Sequence, residues 1–301
     1  MHTIEIPEAD FKMHIPADLS ECNSNQYINI SGLLYQLNIG EIDQETFQIQ
    51  AVKFLALGKK EREEAETDAK KHQNIYQIAD CLDSFFEQNK EGKTVVKQYF
   101  IHNPIDIIRG NFLSYYGPSN EFNNVSFGEY VDALSYLYDY IETQDNEFLY
   151  LLFATFYRRK KRHFSPNYSF SSDKRAPYNT DKVPILANRF KKQHIGIIYG
   201  FFLLFTSFNK YLQTAKIFVQ GKEIDLAILY KDFPADAKQK ESNIPGLGMK
   251  SLLYSIAESG VFGTLQEVRK ASLWEILIRL YDLRKRDFDA LANQRKQETN
   301  A

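Results

Sequence analysis

Cysteine is nearly absent: Cys22 and Cys81 are the only two in 301 residues. They lie too far apart for a disulfide framework or a metal-binding spacing, so a reducing compartment is expected. Glycine and proline are scarce, at 14 and 9, which disfavours a sandwich or barrel of short strands and favours long helices. Net charge is missing as well. Lys and Arg number 37 against 39 Asp and Glu, leaving −2, so no global field draws nucleic acid or an anionic membrane, and any basic function must be local. Long hydrophobic runs are also lacking. The uncharged apolar stretch from Ile195 to Phe208 has flanking lysines at Lys191, Lys192 and Lys210. It falls short of the roughly 20 residues that span hydrocarbon, so a buried helix is expected and no membrane span. The first residues, MHTIEIPEADF, have neither the basic flank nor the apolar core of a signal peptide. A cytoplasmic location is the expectation.

Local motifs of catalysis are absent too. There is no phosphate-binding Walker loop, no GxGxxG after a strand, no GxSxG elbow and no HExxH. The histidines at 2, 14, 72, 102, 163 and 194 are scattered, with no ligand partner at a recognised spacing. Glu258 reads as a solvated helix-end carboxylate. No catalytic residue, metal or cofactor is expected, and the chain is read as a non-enzyme. An enzyme with a site assembled from distant residues stays as a rival, and it would show a deep pocket lined by convergent polar groups.

What the chain does have is aromatic mass. It holds 23 Phe and 19 Tyr, and hydrophobic residues make up 44%, enough for a large aromatic core or interface. The periodicity predicts a mainly α protein of helical bundle-like units with two small β-hairpins. The first hairpin covers residues 1–16, where Thr3–Ile6 and Phe11–Ile15 alternate around a Pro-Glu-Ala-Asp turn. Helices follow from Ser24 to about Leu37, from an Asp43 cap to about Leu57, and across Lys59 to Asn89, the last beginning with a charged, solvated run. Lys93 to Ile101 reads as a strand. Asn103 to Asn124, with Pro104, Gly110 and Gly117-Pro118, reads as loop. Three parts result: an N-terminal unit 1–102, a linker 103–125, and a C-terminal helical domain 126–301 carrying a basic loop (158–180) and a hairpin (216–230).

In the C-terminal part, Ser126 and Glu129 form a capping-box pattern. An aromatic helix runs from about Asn146 to Lys161, Asp181 opens another, and the apolar helix covers His194 to Leu212. A helix from Met249 ends at Gly260, and a last helical region capped by Thr264 or Ser272 is expected to fray after Leu291. The pair Tyr27 and Leu34-Tyr35 matches Tyr130 and Leu137-Tyr138 at one fixed offset, a pattern that a duplicated helical hairpin or chance would both produce.

The stretch from Glu147 to Asn179 couples the aromatic helix to five consecutive cations, Arg158, Arg159, Lys160, Lys161 and Arg162, then to Lys174 and Arg175. Three readings are open. The cations complement a helix C-terminus, contact nucleic acid, or dock an acidic protein partner. The candidate partner-binding residues are those seven together with Tyr178. The near-zero net charge argues against nucleic acid.

Four segments together resemble phage- and prophage-encoded proteins of tail modules, similar to tail-assembly chaperones near the tape-measure protein. They are the N-terminal hairpin with its Tyr27-centred helix, the Phe156-Tyr157-Arg158 end with Lys174-Arg-Ala-Pro-Tyr178, the helix running into Phe201-Phe202, and Ala257-Glu-Ser-Gly-Val-Phe-Gly263 before the helix at Trp274. The resemblance implies a helical, non-enzymatic assembly or structural protein in the cytoplasm of a bacterial host, possible retention in a particle included. Its implied partner is a tape-measure or tail-tube protein, held through aromatic grooves open to amphipathic helices.

Overall fold

Local chemistry sets most helix starts. The computed structural model describes residues 1–6, 11–57, 69–89, 91–110, 113–161, 173–230 and 249–300. Helix α1 (Ser24–Asn38) is capped by Asn23, one residue before the expected Ser24. Asn23 accepts from the Gln26 amide at 3.0 Å while Gln26 accepts from the Asn23 amide at 3.0 Å, a reciprocal box that Ser24 could not close. Helix α2 (Gln44–Ala56) starts from Asp43, as expected. Helix α3 (Ala69–Ala79) stops ten residues before Asn89. Asp80–Phe85 is a 3-10 turn, and Phe86–Gln88 becomes strand β3, antiparallel to β4 (Thr94–Val96). Tertiary contacts override the helical pattern here: Phe86 stands edge-on to Phe47 at 5.4 Å, and Gln48 bonds Asp83 at 2.7 Å. The first hairpin is present as β1 (His2–Ile6) and β2 (Phe11–Ile15). Its Pro-Glu-Ala-Asp turn and most of the charged run 59–73 lie outside the described residues.

The segment 103–125 lies against the core. It carries β5 (Ile107–Arg109) and β6 (Ser114–Tyr116), and Ile105, Ile108, Tyr115, Phe122 and Val125 are all buried. Glu121 and Phe122 both hold positive φ, 57° and 55°, a costly state for residues with side chains. Two contacts hold it. Phe122 sits in an aromatic cluster, stacked on Phe208 at 4.4 Å and edge-on to Phe156 at 5.6 Å, and the indole of Trp274 donates to the Glu121 carbonyl at 2.9 Å.

Helices α4 (Phe127–Thr143) and α5 (Asn146–Phe156) form an antiparallel hairpin. The aromatic helix α5, expected to reach Lys161, ends at Phe156, because Arg158–Arg159 becomes strand β7, which joins β6 at Tyr115↔Arg159 and Tyr116↔Arg158. Asp181 lies inside a 3-10 turn, Thr180–Lys182, which leads into α6 (Val183–Phe190). Helix α7 (Ile195–Leu212) is capped by the His194 ring, whose Nδ1 accepts from Gly196 N at 3.1 Å. The second expected hairpin is β8 (Lys216–Val219) and β9 (Lys222–Asp225), turning through Gln220 and Gly221 at φ 50° and 77°. Helices α8 (Met249–Glu258), α9 (Leu265–Lys270) and α10 (Leu273–Asn300) complete ten α-helices among the described residues, a mainly α fold. Thr264 caps α9, and α10 opens after Ser272. Helix α10 extends past Leu291 to Asn300. Pairs one turn apart, Lys285–Asp289 at 2.5 Å and Arg286–Asp282 at 2.8 Å, support its middle turns.

Helix α7 is long and apolar enough to cross a membrane by composition alone, yet 61% of it is buried within this fold. Helices α5 and α1 close on it from two sides. Phe153, Phe156 and Tyr157 of the α5 end meet Phe201 at 5.7, 5.0 and 5.4 Å. On the other side α1 crosses it closely: a Cβ on Gly196 would lie 1.9 Å from the Ile28 carbonyl, and one on Gly200 2.8 Å from the Tyr27 ring. Tyr27 donates to the Gly200 carbonyl at 2.7 Å, and Ser207 bonds both the amide and the carbonyl of Phe100. The buried residues of 1–102 and of 126–301 thus belong to one continuous hydrophobic core.

Replacing Gly196 by Ala forces the two backbones apart. A loss at or above the ~1–3 kcal/mol usual for overpacking is expected in urea unfolding. An unchanged midpoint would show that the crossing is not as close as described.

Candidate functional site

The site grows from the buried end of α5. A helix leaves its last carbonyls without partners, and a buried helix end must find donors. Two arginines supply them. Arg158 donates through Nη1 to the Thr155 carbonyl at 2.7 Å, and Arg175 through Nη1 to the Phe156 carbonyl at 3.1 Å. They reach the same point because their strands pair. Lys160 bridges Arg175, Lys161 N donates to Lys174 O at 2.9 Å, and Ala176 N donates to Arg159 O at 2.7 Å. Side chains alternate along such a ribbon, so Arg158 and Arg175 turn inward while Arg159 and Lys174 turn to solvent.

The inward pair is charged and almost wholly enclosed, with Arg158 at 5% and Arg175 at 1% exposure. Glu129, 3% exposed, is the counter-charge between them. Its Oε1 accepts from Arg158 Nη2 at 3.1 Å, and its Oε2 lies 3.0 Å from Arg158 Nη1 and 3.3 Å from Arg175 Nη1. Those Oε2 contacts are ionic, with no hydrogen bond aligned to that oxygen. Asp173 completes a two-plus-two set, bound by Arg175 Nε at 2.9 Å and Nη2 at 3.2 Å. Burial pulls the Arg158 guanidinium below its ordinary pKa, with Glu129 and Asp173 opposing the shift.

Tyr178 partitions the surface above this cluster. Its ring lies beneath the Arg158 guanidinium at 5.6 Å, and its hydroxyl donates to Asp132 at 2.7 Å. Burial, then the Asp132 charge, raises the phenol's pKa. Asp132 also holds Arg269. On one side of Tyr178 lies a recess of about 710 Å³, lined by Arg158, Lys161, Arg175, Arg269 and Lys270, by Glu129 and Asp173, and by hydroxyls including Ser126, Thr180 and Ser272. On the other side lies a narrower recess of about 510 Å³. Its floor is Ala154, Pro177, Val183, Ile185 and Leu186, and its cations are Arg158, Arg159, Lys182 and Arg189. No carboxylate lines it among the described residues.

The eight expected partner-binding residues therefore separate. Arg158 and Arg175 are internal ion-pair partners, Arg159, Lys160 and Lys174 are exposed, Lys161 is half-buried, and Tyr178 is the partition. Arg162 lies outside the described residues. The helix-end reading of the cations is met in an altered form: Arg158 folds back onto the α5 carbonyls, joined by Arg175 from beyond the loop.

Residues not singled out beforehand are Glu129 as counter-ion, Asp132, Asp173, Lys182, Arg189, Arg269 and Lys270. One signal was available. Glu129 stands four and eight residues before Ala133 and Leu137 on the apolar face of α4, and an acid on such a face calls for a buried cation. Among the described residues neither recess is lined by histidine or cysteine, and Ser126, 3.2 Å from Glu129 Oε1, is engaged as the α4 cap. Among the described residues no three His, Cys, Asp or Glu come together to hold a metal ion. What this arrangement offers chemically is anion recognition. No family model matches the chain, and neither a curated protein nor a solved structure does.

Glu129→Ala leaves two enclosed guanidinium groups facing Asp173 alone. Removing one partner of such a cluster costs about 3–5 kcal/mol, so a clear fall in the urea midpoint is expected. A loss below about 1 kcal/mol would mean the cluster is effectively solvated.

Proposed function

We propose that this chain is a non-enzymatic binding protein acting through protein–protein contact, and that it takes an acidic, amphipathic helical segment of a partner into the narrower recess. The carrying observation is the combination of an apolar floor with Arg159, Lys182 and Arg189 on its rim, none of which makes an ion pair among the described residues. Ile185 is 59% exposed there, although it is a large aliphatic side chain. A helix laying apolar residues on Ile185 and Leu186 would bring its acids to those cations, the helix-in-groove mode with charge setting the register. The resemblance of four segments to tail-module proteins makes a tape-measure or tail-tube protein the partner to try first, in the cytoplasm of a bacterial host. A phosphodiester backbone would use the same cations, but it has no use for the aliphatic floor.

The test is co-expression with the products of neighbouring genes, followed by mapping of the retained segment. The combined substitution Arg159→Glu, Lys182→Glu and Arg189→Glu touches exposed residues only. It is expected to weaken retention of an acidic helical segment by at least about tenfold, from three ion pairs of ~0.2–1 kcal/mol each plus repulsion. Retention of nucleic acid that is lost at moderate salt would replace this reading with the nucleic-acid one. A partner bound equally by the triple variant would move the interface elsewhere.

A further inference from the structure

Helix α6 turns a single stripe of side chains to the narrower recess. Lys182, at its cap, is followed by Ile185, Leu186 and Arg189, the positions i, i+3, i+4 and i+7. At 3.6 residues per turn these four fall within an arc of about 100°. They flank the inner face of Val183, Ala187 and Phe190, which is buried. The two cations stand about 10 Å apart along the axis, with the aliphatic pair between them.

These cations are free to bind, and their buried neighbour is not. Lys182 and Arg189 are exposed and make no ion pair or side-chain hydrogen bond among the described residues. Arg158 lines the same recess, but all three of its nitrogens are engaged, by the Ala176 carbonyl at 2.8 Å, the Thr155 carbonyl at 2.7 Å and Glu129 at 3.1 Å. The stripe therefore discriminates by position. A carboxylate at either end meets a free cation. One laid over Ile185 and Leu186 gives up water against aliphatic side chains, which is costly, and the end cations reach it only by bending inward. Apolar side chains have the opposite preference.

Resting on the partner reading above, we propose that the occupant's helix reads acid-x-x-apolar-apolar-x-x-acid, and that Lys182 and Arg189 set this register. Two helices lying alongside at a shallow angle rise equally, so an interval of seven on one is matched by seven on the other. The motif is the same from either end and admits either chain direction.

The experiment titrates the full chain, labelled at its isoleucine methyl groups, with three capped helical peptides of alanine and glutamine. All carry Leu at i+3 and i+4. The first has Glu at i and i+7, the second moves each Glu one turn outward to i−4 and i+11, and the third has Lys at i and i+7. The Ile185 signal, assigned through Ile185→Val, reads occupancy of the recess. The first peptide is expected to saturate it, binding about fivefold more tightly than the second and at least about tenfold more tightly than the third. The double substitution Lys182→Glu, Arg189→Glu inverts the order of the first and third. Circular dichroism of each variant checks that it is folded. Equal binding of the first two peptides, a swapped variant that keeps the parent's preference, or no shift at Ile185 with any peptide would each overturn the proposal. The partner reading is decided separately. A partner lost in the triple variant whose retained segment lacks acids at this interval overturns the register alone, and a partner kept by the triple variant overturns the reading itself.

Discussion

The close approach of α1 to α7 is the constraint from which the rest of the structure follows. A helix reading IGIIYGFFLLFTSF has no polar face to give to solvent, so it must be enclosed. Gly196 and Gly200 let α1 come in on one side until backbone meets backbone, and Tyr27 fastens the crossing by bonding the Gly200 carbonyl. The other side is closed by the aromatic end of α5. Phe153, Phe156 and Tyr157 pack on Phe201, and Phe156 also meets Phe205. Enclosing α7 therefore buries the C-terminal end of α5, and a buried helix end needs donors.

Those donors explain why a run of cations follows an aromatic helix. Arg158 and Arg175 satisfy the Thr155 and Phe156 carbonyls, and the charge they carry inward requires Glu129 and Asp173. Such a cluster adds little net stability compared with an apolar replacement, but its parts cannot be removed singly. It also anchors Tyr178 and so separates two recesses with different electrostatics. One has an apolar floor and, among the described residues, a rim of cations without carboxylates, and the other is a polar cavity lined by both cations and carboxylates. The near-neutral total charge conceals this, because the field is local.

The aromatic excess has a comparable resolution. Composition left core and interface equally open for 23 Phe and 19 Tyr. The fold puts Phe122, Phe153, Phe156, Phe201, Phe205 and Phe208 into one interior cluster, and that cluster holds Phe122 in a left-handed backbone that a bulky residue otherwise avoids. The single tryptophan contributes twice, by edge contact with Phe208 and by its bond to the Glu121 carbonyl.

Wherever a signal is carried by neighbours in the chain, it was legible beforehand. Helical class, the caps at Asp43, Ser126 and Thr264, the two hairpins and the buried apolar helix follow from side chains within a few residues of each other. Where a partner from far along the chain competes, the local reading fails. Phe86–Gln88 leaves its helix to pair with Thr94–Val96, and Arg158–Arg159 leaves another to pair with β6. The candidate site belongs to the second kind. Sequence alone located the cations and placed them beside an aromatic helix. Only the tertiary structure decided that Arg158 and Arg175 face Glu129 while Arg159, Lys182 and Arg189 face solvent, because charges fall inside or outside according to which carbonyls and carboxylates the folded chain brings within about 3 Å of them.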